Sequence, residues 1–190
     1  MNILILNGSP RKAGNVSAML DIMRDEAERR GHAVTVLRAA DLSVSPCRGC
    51  MMCRTSLRCS LPEDDAQRVL RLLREADALI IGSPCYWGNI PGQLKTLFDR
   101  MVYGMMGETK HGLPQPLHKG KRAVIVATST TPFPFNVLFA QTRGVVRALR
   151  EILGYSGFRV AGTLQKGGTG KHPALTEAEK RKCRKLINTL

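Results

Sequence analysis

Four of the six cysteines in this sequence lie within thirteen residues, at the spacing Cys-x2-Cys-x2-Cys-x5-Cys. Thiols packed this closely have three chemical uses. Four thiolates can hold a [4Fe–4S] cluster, they can bind zinc, or they can stay reduced or form disulfides. Zinc sites more commonly use two pairs separated by a long gap, so the spacing favours the cluster. The candidate ligands are Cys47, Cys50, Cys53 and Cys59.

A second group of polar residues, near the start of the chain, has the composition of an anion site. The segment Asn7–Ser17 follows an apolar run, and an amphipathic helix begins within it, near Asn15. In such a loop, free backbone N–H groups and the positive end of the helix dipole converge on one point. Side chains can add hydrogen bonds and a positive charge. The candidate anion ligands are Ser9, Asn15 and Ser17, with Arg11 supplying the charge.

The glycines of this loop narrow the choice of anion. Five residues separate Gly8 from Gly14, whereas the Walker A pattern has four, and Asn15 stands where that pattern has lysine. The Gly-x-Gly-x-x-Gly pattern of dinucleotide-binding loops is also absent. A terminal phosphate such as that of FMN therefore suits the loop better than ATP or a pyrophosphate. The alternative is an ordinary strand-to-helix turn that binds nothing, because small residues are common in turns.

Apolar strands alternate with amphipathic helices around these residues. The five predicted strands are Ile3–Leu6, Ala33–Leu37, Ala78–Ile81, Arg122–Ala127 and Phe158–Leu164. Predicted helices begin near Asn15, Glu63 and Pro91, run from Phe139 to Leu153, and follow a capping box at Thr176–Glu179. The alternation predicts one α/β domain over residues 1–190, with a parallel sheet covered on both faces. Ligands of such sheets lie beyond the carboxyl ends of the strands, where the loops after the first, third and fourth strands meet.

Composition and charge limit the classes of protein to consider. The 190 residues contain no run of eighteen apolar residues that would span a membrane. The first residues lack the basic flank and the long apolar core of a signal peptide, so a cytoplasmic location is expected. The net charge of +14 would attract polyanions. Because the basic residues are spread along the chain, a solvated basic surface is the better interpretation than a nucleic-acid site.

Three segments carry a resemblance to a known family. They are Asn7–Asn15, with the sequence NGSPRKAGN, the segment Ser83–Gly88, and the motif Lys95-x-x-x-Asp99-Arg100. With them the chain resembles the NAD(P)H-dependent FMN reductases of the flavodoxin-like superfamily. Its cysteine spacing resembles that of the iron–sulfur flavoproteins within that group. The resemblance covers nearly the whole chain and implies a flavodoxin-like three-layer sandwich with a five-stranded parallel sheet in the order 2-1-3-4-5.

The resemblance also assigns residues to a bound FMN, with the first loop at the phosphate and the second along the isoalloxazine ring. The phosphate residues would be Ser9, Arg11, Asn15, Val16 and Ser17. The ring residues would be Pro84, Cys85, Tyr86, Trp87, Gly88, Asn89, Thr128 and Ser129. A planar apolar ring with a polar edge suits aromatic walls and backbone donors. Surface packing or a protein interface is the alternative explanation for Tyr86 and Trp87.

Several other reactive residues have simpler explanations. Cys85 is expected to be a packed small side chain, and Cys183 to lie on a face of the last helix. The connector 104–120, rich in Gly, Pro and Met, is expected to be irregular, with His111 and His118 exposed. The three charged residues of the helix motif are expected on a solvated face or at a subunit contact.

Together these features predict an FMN-dependent oxidoreductase that takes electrons from NAD(P)H and passes them to an acceptor or to a cluster. Two alternatives stay open. One is a non-enzymatic FMN and [4Fe–4S] electron carrier that exchanges electrons with ferredoxin, and the other is a cluster-free sensor based on thiols or zinc. Because one subunit would leave the outer face of the flavin ring exposed, a homodimer or homotetramer is expected to cover it.

Overall fold

The computed structural model describes every residue from Met1 to Leu190. Its strands, in chain order, are β1 (Asn2–Asn7), β2 (Ala33–Arg38), β3 (Ala78–Pro84), β4 (Met106–Glu108), β5 (Pro114–Pro116), β6 (Arg122–Thr128) and β7 (Arg159–Lys166). Five of them form a parallel sheet in the order β2-β1-β3-β6-β7. Counted along the chain without the two short strands, this order is 2-1-3-4-5. The predicted fold class and strand order are therefore confirmed.

Seven helices connect the strands. They are α1 (Asn15–Arg29), α2 (Met52–Ser56), α3 (Asp65–Glu75), α4 (Gly92–Met105), α5 (Phe135–Leu138), α6 (Gln141–Ser156) and α7 (Glu177–Ile187). Helices α1 and α7 cover one face of the sheet, and α3, α4 and α6 cover the other. None of the helices is both long enough and apolar enough to cross a bilayer.

The central strands are buried on both faces, which is why they consist of continuous apolar runs. In β1, Leu4 and Leu6 belong to the core under α3, α4 and α6, whereas Ile3 and Ile5 belong to the core under α1 and α7. The first core contains 24 buried residues and the second 14, because three helices cover one face and two cover the other. This two-sided burial fixes the strands rigidly, so their ends can position loops accurately.

The connector 104–120 differs from its prediction, because part of it is regular and one of its histidines is buried. Strands β4 and β5 pair as an antiparallel hairpin. His118 is 2% exposed, its Nε2 lies 3.0 Å from the carbonyl oxygen of Gly104, and its ring stacks on Phe158. Burial lowers the pKa of His118, which favours the neutral ring in the core. The expectation of an exposed histidine was therefore wrong at residue 118 and right at His111, which is exposed.

The helix predicted from Phe139 to Leu153 corresponds to α6, which begins two residues later at Gln141, and the short helix α5 that precedes it was not predicted. Ala140 has a φ of 54°, in the left-handed region, so a right-handed helix cannot pass through it. At the other end α6 continues to Ser156 and stops at Gly157, whose φ of 93° favours glycine. The segment before α6 thus becomes a separate turn at the carboxyl edge of the sheet.

Candidate functional site

The carboxyl ends of β1, β3 and β6 lie at one edge of the sheet, since Asn7 pairs with Gly82, two residues before the end of β3, and Pro84 pairs with Thr128. The loops that follow these strands enclose a cavity of about 840 Å³. Ten of the predicted cofactor residues line it: Ser9, Arg11, Asn15, Val16, Ser17, Pro84, Cys85, Tyr86, Thr128 and Ser129. The structure does not bring Trp87, Gly88 or Asn89 into its wall.

The backbone of the first loop forms an open cluster of hydrogen-bond donors. The N–H groups of residues 12–17 have no acceptor within the chain. Helix α1 begins here behind Gly14, which has no side chain to cap it, and its first turn contains no acidic residue. Helices α3 and α7, in contrast, both begin with a complete capping box. Six consecutive free donors at an uncapped helix N-terminus are suited to bind an anion.

Asn7 holds this loop in shape from the last position of β1. Its side-chain amide donates to the hydroxyl of Ser17 at 2.9 Å, and its side-chain oxygen accepts from the N–H of Ser9 at 2.9 Å. The Ser17 hydroxyl in turn donates to the carbonyl oxygen of Arg11 at 3.1 Å. Because that hydroxyl has only one proton, Ser17 would offer a ligand its N–H rather than its side chain. Sequence reasoning missed Asn7, although a polar residue at the end of a buried strand was a usable signal.

One polar atom in the wall of the cavity lacks a partner. The side-chain oxygen of Asn15 is buried and makes no hydrogen bond within the chain. Buried polar atoms in folded proteins nearly always have a partner, and Asn15 lies against the cavity. A ligand with hydroxyl groups beside its phosphate, as FMN has, would supply that partner. The donor cluster and this acceptor together fit FMN.

The loop after β3, which we call the ring loop (residues 84–90), is a tight turn. The N–H of Cys85 donates to the carbonyl oxygen of Thr128 at 2.7 Å, which ties the loop to β6. Tyr86 and Asn89 exchange hydrogen bonds of 2.8 and 2.9 Å, and the two residues between them have φ values of 54° and 72°. Such angles define a type I′ turn, which favours glycine and asparagine. Trp87 occupies one of these positions, with its side chain fully exposed.

Helix α6 supports the ring loop through a close backbone contact. A Cβ atom on Gly144 would lie 1.9 Å from the carbonyl oxygen of Gly88. Only glycine therefore allows the helix to approach the turn this closely. Sequence reasoning missed Gly144, and no local pattern marks it, because its neighbour lies 56 residues earlier in the chain.

The segment after β7 forms a further wall of the cavity, through Thr169, Pro173, Ala174, Leu175 and Lys180. The N–H and the hydroxyl of Thr169 both donate to the carbonyl oxygen of Ser129, each at 3.1 Å. Lys166, buried at the end of β7, pairs with Glu179 at 3.0 Å and donates to the carbonyl oxygen of Ala174 at 3.3 Å. These contacts hold the segment against the sheet edge. Sequence reasoning missed this wall, because none of these residues was a candidate for the site.

A separate cavity of about 150 Å³ is lined by all four clustered cysteines. They belong to the cysteine loop, residues 46–61, and the opposite wall includes Tyr103 of α4. The sulfur of Cys50 lies 3.1 Å from the hydroxyl of Ser60, and this hydrogen bond lowers the pKa of Cys50. Burial and the neighbouring thiols raise the pKa of Cys53. No three of these side chains are arranged as ligands of a single metal ion.

A family model described as NADPH-dependent FMN reductase matches residues 1–165. The chain belongs to this family. The match includes the first loop, the ring loop and the cysteine loop. It ends within β7, so the cavity wall built by Thr169 and residues 173–180 lies beyond the matched part.

Curated relatives of this family member include iron–sulfur flavoproteins of archaea. The chain is 37% identical over 107 residues to the iron-sulfur flavoprotein of Archaeoglobus fulgidus, covering 56% of this chain and 52% of that protein. It is 36% identical over 102 residues to the iron-sulfur flavoprotein of Methanosarcina thermophila, covering 54% and 53% respectively. The chain thus spans about half the length of the curated relatives it matches.

Solved structures share the fold over nearly the whole chain. An azoreductase from Bacillus anthracis superposes with a TM-score of 0.79 at 17% identity and covers 100% of both chains. An FMN-dependent NADH-azoreductase of the same species, solved in complex with FMN, has a TM-score of 0.74 at 14% identity, covering 98% of this chain and 97% of that one. At such identities the likeness establishes the fold alone.

The two cysteines outside the cysteine loop are held within this FMN reductase fold. Cys85 is half-buried, and its thiol donates to the side-chain oxygen of Gln141 at 3.3 Å. Burial raises the pKa of Cys85. Cys183 lies on the buried face of α7, and burial raises its pKa to about 11. Cys85 is a packed small side chain, as expected. Cys183 lies on a face of the last helix, as expected, and that face is part of the core.

The charged motif on α4 separates into exposed and buried residues. Lys95 and Asp99 form an ion pair on the exposed face of the helix, as expected. Arg100 is 1% exposed and pairs with Asp64 at 2.7 Å. The expectation of a solvated or subunit-contact position was therefore wrong for Arg100, because a charged residue can enter the interior when fixed partners surround it.

Proposed function

We propose that this protein is an FMN-dependent oxidoreductase that takes electrons from NAD(P)H and passes them to a small-molecule or protein acceptor. The observation that carries the proposal is the uncapped N-terminus of α1, where the N–H groups of residues 12–17 have no acceptor. Membership of the NADPH-dependent FMN reductase family supports the same reaction class.

The residues of the cavity would divide the work of holding FMN. The free amides of residues 12–17 would bind the phosphate, with Ser9 and Arg11 beside them. Asn15 would accept a hydrogen bond from a hydroxyl of the cofactor. The isoalloxazine ring would lie along the ring loop and the turn at Thr128 and Ser129. When bound, FMN supplies the hydride and electron transfer, so the protein needs to orient the ring and exclude water rather than act as an acid or base.

We also propose that Cys47, Cys50, Cys53 and Cys59 bind a [4Fe–4S] cluster. All four thiols line one cavity, and relatives at 36–37% identity are named iron-sulfur flavoproteins. Four thiolates are the usual ligand set of such a cluster. Zinc is the poorer candidate, because its sites more commonly use two pairs of cysteines separated by a long gap. The alternative is a protein without a cluster, in which the four cysteines act as a thiol-based sensor.

A second copy of the chain is the proposed cover for the outer face of the flavin. Large apolar side chains beside the ring loop are exposed: Trp87 fully, Phe133 by 79%, Phe139 by 67% and Leu138 by 66%. Apolar patches of this kind mark association sites. We expect a homodimer or homotetramer by light scattering of the FMN-bound protein at micromolar concentration. A monomer under those conditions would contradict the proposed cover.

One preparation tests the main proposal against its rivals. Protein purified anaerobically is assayed for FMN, iron and steady-state turnover with NADH and NADPH. Stoichiometric FMN with turnover supports the oxidoreductase. Bound FMN without turnover would favour an electron carrier that exchanges electrons with ferredoxin, and flavin-free protein with stoichiometric zinc would favour the sensor. The cytoplasmic location expected from the sequence stays a prediction.

A further inference from the structure

Arg100 is a charged side chain in the interior of the protein, where it is 1% exposed. Its guanidinium donates to the carbonyl oxygen of Ser45 at 2.8 Å and to Oδ2 of Asp64 at 2.7 Å. A third, longer hydrogen bond of 3.4 Å reaches the carbonyl oxygen of Pro62. A buried guanidinium requires such fixed partners, because an unpaired charge in the interior is costly.

These acceptors lie on the two sides of a single loop. The cysteine loop, residues 46–61, begins directly after Ser45 and ends directly before Pro62, with Asp64 two residues further on. The segments 43–45 and 64–65 are also joined to each other by hydrogen bonds of 2.8, 3.1 and 3.2 Å. Arg100 therefore fastens the closed neck of the loop to α4.

The hydrogen bonds inside the loop, such as that between Cys50 and Ser60, are exposed to solvent and fix its shape only weakly. Its regular part is α2, which has five residues and buries none of them. Met51 and Leu57, on either side of α2, both have positive φ values, 61° and 53°, and exposed side chains. An ion pair of 3.2 Å joins Arg54 to Glu108, but both partners are solvent-exposed, and such pairs contribute little. The position of the thiols therefore depends on the neck.

We propose that Arg100 is a positioning residue for the four thiols of the cysteine loop. By holding the neck, it seats the loop against Val102 and Tyr103, which form the α4 wall of the thiol cavity. The same helix begins at Gly92, directly after the ring loop. One rigid element thus fixes the thiols relative to the flavin cavity. The inference concerns the loop itself and holds with or without a bound cluster.

The geometry of its acceptors uses both nitrogens of the arginine fork. Its planar fork presents several donors in fixed directions, whereas lysine presents a single compact charge. Here one nitrogen, Nη1, serves the entry side of the loop and Asp64, and the other, Nη2, serves Pro62 on the exit side. A lysine would keep one nitrogen at the neck and lose the hydrogen bond that Nη2 makes to Pro62.

The test compares Arg100→Met with a control, Arg29→Met, which removes an exposed arginine of α1 that pairs with Glu26 at 2.7 Å, far from the neck in the chain. FMN-loaded protein is reacted with a maleimide, and modification of each cysteine is followed by peptide mass spectrometry. Iron is measured in the same samples, because ligated thiolates are protected. Cys85 and Cys183 lie outside the loop and act as internal references.

Arg100→Met should speed labelling of the half-buried Cys53 and Cys59 by about tenfold or more, since their reactivity follows opening of the neck, whereas Cys47 and Cys50 are already exposed and should label quickly in both proteins. Cys183 should stay unreactive, FMN affinity should not change, and Arg29→Met should label as the wild type does. Unchanged loop rates would overturn the inference. So would a parallel rise at Cys183, because that pattern reports global unfolding.

Arg100→Lys gives a second decision if the methionine variant does not fold. Lysine keeps the charge but has one nitrogen in place of two. The two half-buried loop thiols should therefore react faster than in the wild type and more slowly than in a protein whose neck is open. Wild-type rates in this variant would show that the fork is not needed and would overturn the inference. The FMN titration separates either outcome from a failure of the flavin site.

Discussion

Replacing Gly144 with alanine should damage the flavin site through the backbone of the ring loop. The added Cβ would lie 1.9 Å from the carbonyl oxygen of Gly88, whereas ordinary van der Waals contact begins at 3.4 Å. The turn would have to move by the difference, about 1.5 Å. Because the atom in the way is backbone, no side chain can rotate to make room.

Two opposing terms set the effect of this substitution on stability. Overpacking in a well-packed region costs about 1–3 kcal/mol. Alanine in a helix interior gains up to about 1 kcal/mol over glycine. The free energy of unfolding should therefore fall by about 0–3 kcal/mol. The loss in turnover should be larger, about a hundredfold in kcat/KM, because a displacement of about 1 Å at a site can cost that much.

The same helix offers a matched control at Gly154. A Cβ there would meet nothing within 4 Å, so Gly154→Ala should gain up to about 1 kcal/mol and leave the flavin site unchanged. Urea unfolding, titration with FMN and turnover with NADPH measure the three quantities in both variants. Gly144→Ala that binds FMN and turns over like the wild type, or that gains stability like the control, would refute the reasoning.

Three further predictions concern the phosphate, the thiols and the cavity wall. The double variant Ser9→Ala, Arg11→Ala should bind FMN more weakly by about 1.5–3 kcal/mol while riboflavin, which lacks the phosphate, binds unchanged by calorimetry; an equal loss for both ligands would remove the phosphate assignment. Cys50→Ser should lose the iron, which is expected at about four per chain in the wild type, and should keep FMN. The control Cys85→Ser should keep its iron. A Cys50→Ser protein with full iron content would contradict the cluster. Although burial raises it, hydrogen bonds from a backbone N–H and from Lys166 hold the pKa of Glu179 below its ordinary 4.5. Its stabilising effect is therefore fully present above that pH and is lost as the pH falls through the lower folded value. Glu179→Gln should lower the urea midpoint at neutral pH, and the difference from the wild type should shrink as the pH falls below 4.5; a difference that does not shrink in acid counts against the pair.

The sheet and its active edge could be predicted because local sequence decides them. Continuous apolar runs such as Ile3–Leu6 have few alternatives to a buried parallel strand. Once the strands are known, the edge where Ser9, Pro84 and Thr128 meet follows from the rule that loops at the carboxyl ends converge. The residues that suit those loops to bind a phosphate and a flavin ring also lie in short continuous segments of the sequence.

The remaining features depend on contacts between distant parts of the chain. The fit of Gly144 under Gly88 requires the packing angle of α6, which no residue pattern encodes. The wall formed by Thr169 is built by a loop without any motif. Arginine is usually a surface residue, and Arg100 is buried because it pairs with Asp64, which lies 36 residues earlier in the chain. Such features become visible only when the elements are assembled in three dimensions.

The exposed tip of the ring loop has a practical consequence for measurement. Trp87 is the sole tryptophan of the chain, so its emission arises from one known point beside the flavin cavity. Flavin bound nearby would quench that emission, and a subunit closing over the tip would shift it to shorter wavelength as water leaves the indole. Cofactor binding and assembly can therefore be followed separately in unlabelled protein, by intensity in one case and by colour in the other.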